Sequence, residues 1–205
     1  MNLYDAMMHR FIASVFALLL ACWLASAVAG GIAAASIFPA ARELALSLAG
    51  YEQFITVETQ AGRMLVAGFL AERVFETAND MQCWLAPCTV VVFIMLGISG
   101  PRGSWRSAAL LVAVSSFAAL LWWAQPAFTA ADAQYRDAAR GGDVAAALAL
   151  KPAVDSAHAL ASNCAKIEVL ALLVLIASSS STSARGKSGN GSNRVVAVGW
   201  SSRRG

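Results

Sequence analysis

Polar side chains interrupt an apolar segment near the end of the chain, HALASNCAKIEVLALLVLIA at residues 158–177. His158, Ser162 and Lys166 follow one another at intervals of four residues, so they share one stripe of a helix. Glu168 lies about 200° from Lys166 around the helix, and the two charges cannot pair within it. A histidine beside a serine could activate a nucleophile, and charges within an apolar helix could build a polar site between helices.

Nucleophilic catalysis lacks the other groups that it needs. A triad requires a third residue that orients the histidine and a site that stabilises the oxyanion. The chain has two histidines, His9 and His158, and it contains no phosphate-binding glycine loop, no G-x-S-x-G elbow and no HExxH motif. Its basic residues are dispersed and match no nucleic-acid-binding motif. We therefore expect no enzymatic activity, no cofactor and no nucleic acid partner.

The composition is that of a membrane protein. Of the 205 residues, 59% are hydrophobic and 13% are charged, whereas an ordinary soluble domain has about 25% charged residues. Four apolar runs approach the ~20 residues that a spanning helix needs. The sequence predicts an all-α, polytopic membrane protein. Its four-transmembrane-helix bundle is expected to have spans at about 11–38, 81–100, 107–128 and 158–180.

The fourth span must contain charged residues. Its uncharged part, 169–183, covers about 22 Å, whereas the hydrocarbon layer is about 30 Å thick. The helix therefore takes in Lys166 and Glu168. Two interpretations are open: these charges extend to the headgroups from a helix end, or they form a polar face inside the bundle. Arg42 and Arg63 are candidate partners of Glu168. The polar intramembrane or binding candidates are Arg63, His158, Ser162, Lys166 and Glu168.

Basic residues in the short flanks predict the orientation. The loop 100–106 carries two arginines and no acid, and five basic residues follow the fourth span. Both termini are therefore expected to be cytoplasmic, in a plasma (inner) membrane. Residues 1–10 form a short cytoplasmic N-terminus and 11–177 the membrane domain. Residues 178–205 are expected to be a disordered, basic tail rich in Ser and Gly that meets solvent, lipid or a partner protein.

The first apolar run has an alternative interpretation as a processed leader. Arg10 precedes it, AVA at 27–29 resembles a signal-peptide cleavage site, and LLAC ending at Cys22 resembles a lipoprotein acceptor sequence. The run continues to Phe38, well beyond the apolar core of a signal peptide. This length favours an uncleaved membrane helix.

The two longer connections also predict helices. Apolar residues recur at helical spacing between the first and second spans, with Gly50 and Gly62 as expected breaks. Residues 61–75, AGRMLVAGFLAERVF, predict an amphipathic helix that lies at the interface or leads into the second span. Residues 129–152 predict a helix, a turn at the glycine pair, and a second helix. Pro152 is expected to start the approach to the fourth span.

Two cysteines are secondary candidates for metal binding. Cys83 and Cys88 form a C-x4-C pair, which is not the C-x2-C spacing of zinc or thioredoxin-like sites. With two nearby methionines, the pair could hold Cu(I) through soft sulfur ligands, or it could form a disulfide on the non-cytoplasmic side. We expect no metal site and keep this pair as the secondary candidate. The other two cysteines are expected to be small packing residues within the spans.

The order of elements resembles a known family. AGRMLVAGFLAERVF precedes the second span, and AVDSAHALASNCAKIEVLALLVLIA forms the last one. Residues 11–177 are similar to the four-helix membrane proteins related to transmembrane protein 205, or domain of unknown function 4149. In that family an Ala-Gly-Arg-like stretch follows the first helix, and a His with a Ser four residues later opens the last. These positions match 61–63, His158 and Ser162. The chain departs from the family in lacking an aromatic-Pro after the arginine and in carrying two charges in its last helix.

Three functions are compatible with the sequence. The leading one is a non-enzymatic membrane protein whose polar set on the last helix stabilises the bundle. The family resemblance implies at most transport or tolerance of toxic metal compounds, and a small-solute or metal-ion pathway would need Lys166 and Glu168 to face a hydrated cavity. The third is a membrane-anchored interaction subunit. Expected partners are the lipid bilayer, an unknown protein bound by the tail and, through small residues at 25–35, a second copy of the chain.

Overall fold

The computed structural model describes residues 3–44, 46–98 and 104–188, which are built almost entirely from helices. The helices are α1 (Leu3–Glu43), α2 (Glu52–Val57), α3 (Thr59–Ile98), α4 (Ser104–Ala119), α5 (Gln125–Arg140) and α6 (Val144–Ser188). A π-helical turn, Leu120–Ala124, joins α4 to α5 in one rod. The described residues contain no strand, which confirms the predicted all-α fold.

Four helical rods are long and apolar enough to cross a membrane. They cover Leu3–Glu43, Thr59–Gly97, Ser104–Arg140 and Val144–Ser178. Large apolar side chains point away from the bundle, and Leu18, Leu111 and Leu170 are 65%, 66% and 61% exposed. Such side chains are stable when lipid tails surround them. The chain is therefore a multi-pass membrane protein.

Each rod is longer than the hydrocarbon layer requires. At about 1.5 Å per residue α3 is about 60 Å long, whereas the layer is about 30 Å thick. The amphipathic segment 61–75 is the first part of α3 and leads directly into the predicted second span. We call residues 40–80 and 129–157 the headpiece, and the rest of the helical rods the membrane half.

Two hydrophobic cores correspond to these two parts. The membrane core contains Phe16, Leu20, Trp23, Ala86, Ala109, Leu110, Ala113, Phe117, Ala171, Leu172 and Leu175. The headpiece core contains Tyr51, Phe54, Ala61, Leu65, Tyr135, Ala139 and Ala147. In the bundle, α1 packs mainly along α3, while α4 and α5 pack along α6, which also contacts α1. The two long connections thus pack on each other rather than lying separately at the interface.

Glycines shape the headpiece in different ways. Gly50 and Gly142 have φ angles of 82° and 74°, a region that side chains disfavour, and both lie in turns. The predicted breaks at Gly50 and at the glycine pair are confirmed. The predicted break at Gly62 is wrong, because this residue lies inside α3. A Cβ atom there would lie 2.8 Å from the Cα atom of Ile55, so Gly62 allows α2 to approach α3 closely.

Prolines are accommodated within the rods. Pro39 lies inside α1, and Pro152 lies inside α6 rather than at its beginning. Pro126 cannot donate a backbone hydrogen bond to the preceding turn. That turn is π-helical, with the Gln125 N–H bonded to the Leu120 carbonyl oxygen. The wider turn lets the rod continue past the proline.

The end of α6 differs from the prediction. The helix continues through Ser188, so residues 178–188, which the composition places in a disordered tail, are helical. No proline or glycine interrupts this part before Gly186, and nothing in the sequence stops the helix at the end of the apolar run. The remainder of the predicted tail, 189–205, lies outside the described residues.

Candidate intramembrane polar site

Glu168 lies in the interior of the membrane half. Its side chain is 0% exposed. Its Oε1 atom accepts a hydrogen bond from Trp23 Nε1 at 2.7 Å. The same N–H group lies 3.3 Å from Gln82 Oε1, so one donor serves two acceptors. We call Trp23, Gln82 and Glu168 the polar cluster; it joins α1, α3 and α6.

Helical spacing places Glu168 on the buried face of α6. Ala171, Leu172 and Leu175 follow it at intervals of three or four residues, and all three belong to the membrane core. On α1, Trp23 follows the core residue Leu20. The Phe117 ring meets the Trp23 indole edge-on, with the ring centroids 6.4 Å apart. Apolar packing therefore fixes both partners of the 2.7 Å hydrogen bond.

The second carboxyl oxygen of Glu168 has no partner among the described residues. Its Oε2 atom is buried and makes no hydrogen bond with any residue that the structure describes. Leaving a buried polar atom unpaired costs about 1–3 kcal/mol. In the polar cluster, the Trp23 N–H group therefore has hydrogen-bond acceptors, whereas one carboxyl oxygen of Glu168 has no partner among the described residues.

The arginines expected to pair with Glu168 lie elsewhere. Arg63 donates from Nη1 to the carbonyl oxygen of Arg42 at 2.7 Å. The Nη2 atom of Arg42 faces the Met64 sulfur at 3.6 Å. The expected pairing with Glu168 is wrong, because both arginines lie in the headpiece, where the end of α1 meets the beginning of α3.

The stripe of His158, Ser162 and Lys166 faces away from the polar cluster. His158 and Lys166 are exposed, and Ser162 is partly exposed. Ser162 Oγ lies 3.5 Å from His158 Nε2, at the outer limit of a hydrogen bond, and the His158 ring packs against Phe128. Among the five predicted polar residues, Glu168 is the one that the structure buries. The others are not brought together with it.

The cysteine pair is not a preformed metal site. Cys83 and Cys88 are exposed, free thiols on α3. Five residues apart on a helix, they project in directions about 140° apart. The described part of the chain holds no group of three or more His, Cys, Asp or Glu side chains that could hold a metal ion. The cysteines are also not joined in a disulfide.

A charged cluster lies in the headpiece between α3 and α5. Arg136 pairs with Asp132 through Nε at 2.6 Å and with Glu72 through Nη1 at 2.9 Å. Its guanidinium group lies 3.9 Å from the centroid of the Phe69 ring. The cluster borders an open cavity of about 270 Å³. Since Arg136 is already bonded to two carboxylates and an aromatic face, this arrangement ties α5 to α3.

Burial changes the acidity of two headpiece groups outside the membrane-spanning segments. It raises the pKa of Asp132; the adjacent Arg136 opposes this rise, and the Glu72 carboxylate adds to it. Burial also raises the pKa of Tyr135 to about 12, and nearby carboxylates, first that of Asp132, contribute. Both shifts favour the neutral forms within the packed headpiece.

Comparison with models of protein families, with curated proteins and with solved structures gives no match to this chain. The resemblance to the proteins related to transmembrane protein 205 therefore stays a prediction. The positions that carry it are separated in the structure, with Arg63 at the Arg42 carbonyl and His158 against Phe128.

Sequence reasoning missed Trp23 and Gln82. A signal for Trp23 is present, because a tryptophan in the middle of an Ala- and Leu-rich span needs an acceptor for its N–H group when it is buried. Gln82 lies at the beginning of the second span, where its amide offers such an acceptor. The group that reaches Glu168 is the one that lies at the same height along the bundle. That height depends on how far each rod extends beyond the membrane.

Proposed function

We propose that the chain is a non-enzymatic, multi-pass protein of the inner membrane, in which the polar cluster fastens the last helix to α1 and α3. The observation that carries this proposal is the 2.7 Å hydrogen bond from Trp23 to the buried Glu168. Lipid tails are as apolar as the helix surfaces, so apolar burial alone gives helices little preference for one another. A hydrogen bond in the membrane half favours one particular arrangement.

Exposed tryptophans support a bilayer across the membrane half. Trp105, at the beginning of α4, and Trp122, in the π-helical turn that follows α4, are 80% and 77% exposed. They are about 26 Å apart along the helix, which fits aromatic side chains at the two interfaces of a hydrocarbon layer. Arg106 donates to the Ser178 carbonyl oxygen at 2.8 Å beside the first interface. Glu168 lies about 15 Å along α6 from Ser178, which places it within the layer.

The charge distribution supports cytoplasmic termini. The loop 100–106 has two arginines and no acid, and the segment after the last span is basic. Residues 40–80 of the headpiece have three arginines against six acids. Basic residues in short flanks favour the cytoplasmic side. In the proposed topology, the headpiece lies on the opposite side of the membrane.

Transport is the weaker proposal. A hydrated pathway would bring Lys166 and Glu168 to one cavity, but Lys166 is exposed on the outside of the bundle and Glu168 is buried among core residues. Lysine side chains on a helix lean toward its N-terminus, here toward the headpiece interface, where the ammonium group meets headgroups. An interaction role of the tail and assembly with a second copy are further proposals.

A double-mutant cycle tests the proposed role of the polar cluster. Trp23→Phe and Glu168→Leu each remove one side of the hydrogen bond, and the double variant removes both. We expect each single variant to lower the free energy of unfolding in mixed micelles of detergent and dodecyl sulfate. The coupling energy should be about 1 kcal/mol, within the range of hydrogen bonds between membrane helices.

The control cycle pairs Glu168→Leu with Trp122→Phe. Trp122 is 77% exposed on the outer surface, so its coupling to Glu168 should be indistinguishable from zero. A Trp23 coupling no larger than that of Trp122 would mean that the cluster does not fasten the bundle.

A further inference from the structure

The unpaired oxygen of Glu168 points to a ligand that the polar cluster lacks. Oε1 is bonded to Trp23, whereas Oε2 is buried and unpaired among the described residues. Three kinds of partner could neutralise the buried carboxylate: a basic side chain, a metal cation or a proton. The positions of the surrounding groups distinguish them.

Among the residues that the structure describes, no basic side chain pairs with Glu168. Lys166, two residues away on α6, faces outward. Arg63 is bonded to the Arg42 carbonyl oxygen, and Arg136 is bonded to Asp132 and Glu72. Arg106, on α4, donates to the Ser178 carbonyl oxygen, about 15 Å along α6 from Glu168.

A metal cation finds too few ligands. Hard cations need about six oxygen ligands, and softer metals need several nitrogen or sulfur atoms. The polar cluster supplies one carboxyl group and the amide oxygen of Gln82, while Trp23 can only donate. The described residues hold no group of three potential acidic, histidine or cysteine ligands.

We infer that Glu168 is an intramembrane proton-binding site, in which a proton from the aqueous phase bonds to Oε2 while Oε1 stays hydrogen-bonded to Trp23. A proton needs no ligand shell and no cavity, and it neutralises a carboxylate that has no cationic partner among the described residues. The inference rests on the proposed function in placing the polar cluster within the bilayer. It makes the fastening of α6 dependent on pH.

Few other titratable groups face this site. On α6, Cys164 is half-buried one turn away, and on α1 Cys22 is half-buried beside Trp23. From α3 the facing group is the amide of Gln82, and α5 carries its charged residues in the headpiece, where Asp132 and Arg136 pair. From α4 the apolar Phe117 ring packs on Trp23, so Glu168 is the one buried acid among the described residues of the membrane half.

Infrared spectroscopy of the full-length protein in lipid bilayers tests the inference directly. A protonated carboxyl group has a C=O stretching band that an ionised carboxylate lacks, and ¹³C in the glutamate side-chain carboxyl shifts this band for glutamate but not for aspartate. We expect the wild-type protein at pH 7 to show an isotope-shifted acid band. Glu168→Gln should lose the band completely, whereas Glu76→Gln, an exposed glutamate on α3, should keep it.

The wild-type spectrum is decisive even if a variant fails to fold. Absence of a glutamate acid band at pH 7 would overturn the proton-binding site, as would a band that persists in Glu168→Gln. Coupling of Trp23 to Glu168 without the acid band would show that the carboxylate fastens the bundle in its ionised form. Loss of the coupling with the band retained would overturn the fastening role and leave the proton site standing.

Discussion

At the scale of residues, the two parts of the molecule treat buried charge differently. In the headpiece, Arg136 bonds to two carboxylates and stacks on Phe69. In the membrane half, the described residues give Glu168 a single donor, the Trp23 indole. Burying a charge costs several kcal/mol unless charged and hydrogen-bonding partners replace water. The headpiece provides these partners, and the membrane half leaves one oxygen open.

Tyr135 is expected to make the headpiece sensitive to alkali. Burial raises its pKa to about 12 from 10, so the folded state keeps the phenol proton at pH values where the unfolded state has lost it. Its contribution to stability is complete below about pH 10 and is lost as the pH rises toward 12. Between those values the wild type should lose on the order of 2 kcal/mol of unfolding free energy relative to Tyr135→Phe.

The measurement is the free energy of unfolding of both proteins in micelles across this pH range. Tyr4→Phe is the control, because Tyr4 is 70% exposed near the beginning of α1. Parallel pH profiles for wild type and Tyr135→Phe would contradict the expected burial of the phenol.

The sequence predicted residue positions better than residue partners. Helical spacing separates Glu168 from Lys166 and groups it with Ala171 and Leu172, and the structure buries that group. Which residues of two helices contact each other depends on the height of one helix relative to the other. The spacing of residues along the sequence does not give this height. For this reason the sequence suggested Arg42 and Arg63, whereas the structure brings Trp23 and Gln82 to the carboxyl group.

At the scale of helices, continuity is the main difference from the sequence prediction. The sequence leaves open whether the segment 61–75 lies at the interface or leads into the second span, and α3 runs on through it without a break. The helices α5 and α6 likewise run on from the membrane half into the headpiece. The amphipathic pattern appears where a helix leaves lipid and packs on one side only. A change from a uniformly apolar to an amphipathic pattern therefore marks the edge of the membrane rather than a break in the helix.

Two glycines of α3 are expected to respond in opposite directions to alanine. Gly62→Ala should destabilise the headpiece by about 1–3 kcal/mol, because the new Cβ atom would lie 2.8 Å from the Ile55 backbone. Gly68→Ala meets nothing within 4 Å and should stabilise α3 by up to about 1 kcal/mol through helix propensity. The free energy of unfolding of the two variants provides the comparison. Equal effects of the two substitutions would contradict the close packing of α2 on α3.

At the scale of the whole molecule, one set of helices builds two cores in two environments. The number of rods and their all-α character could be predicted from the four apolar runs, because hydrocarbon thickness fixes how long such a run must be. The headpiece core could not be predicted as a unit. Its residues, such as Tyr51, Phe54 and Tyr135, come from connections far apart in sequence and become neighbours because the rods overhang the membrane on the same side.

In the proposed topology, a membrane separates the headpiece from the beginning of α4. Single cysteines at two exposed positions of one rod test this, in a background from which the four native cysteines have been removed. Ser104→Cys lies at the beginning of α4, and Asp137→Cys lies in the headpiece, about 50 Å away along the rod.

The decisive measurement is labelling of these two cysteines by a membrane-impermeant maleimide in intact cells. The proposed topology predicts that Asp137→Cys is labelled directly and that Ser104→Cys is labelled only after the membrane is permeabilised. The reverse pattern would contradict the orientation, and labelling of both cysteines in intact cells would contradict a membrane between them.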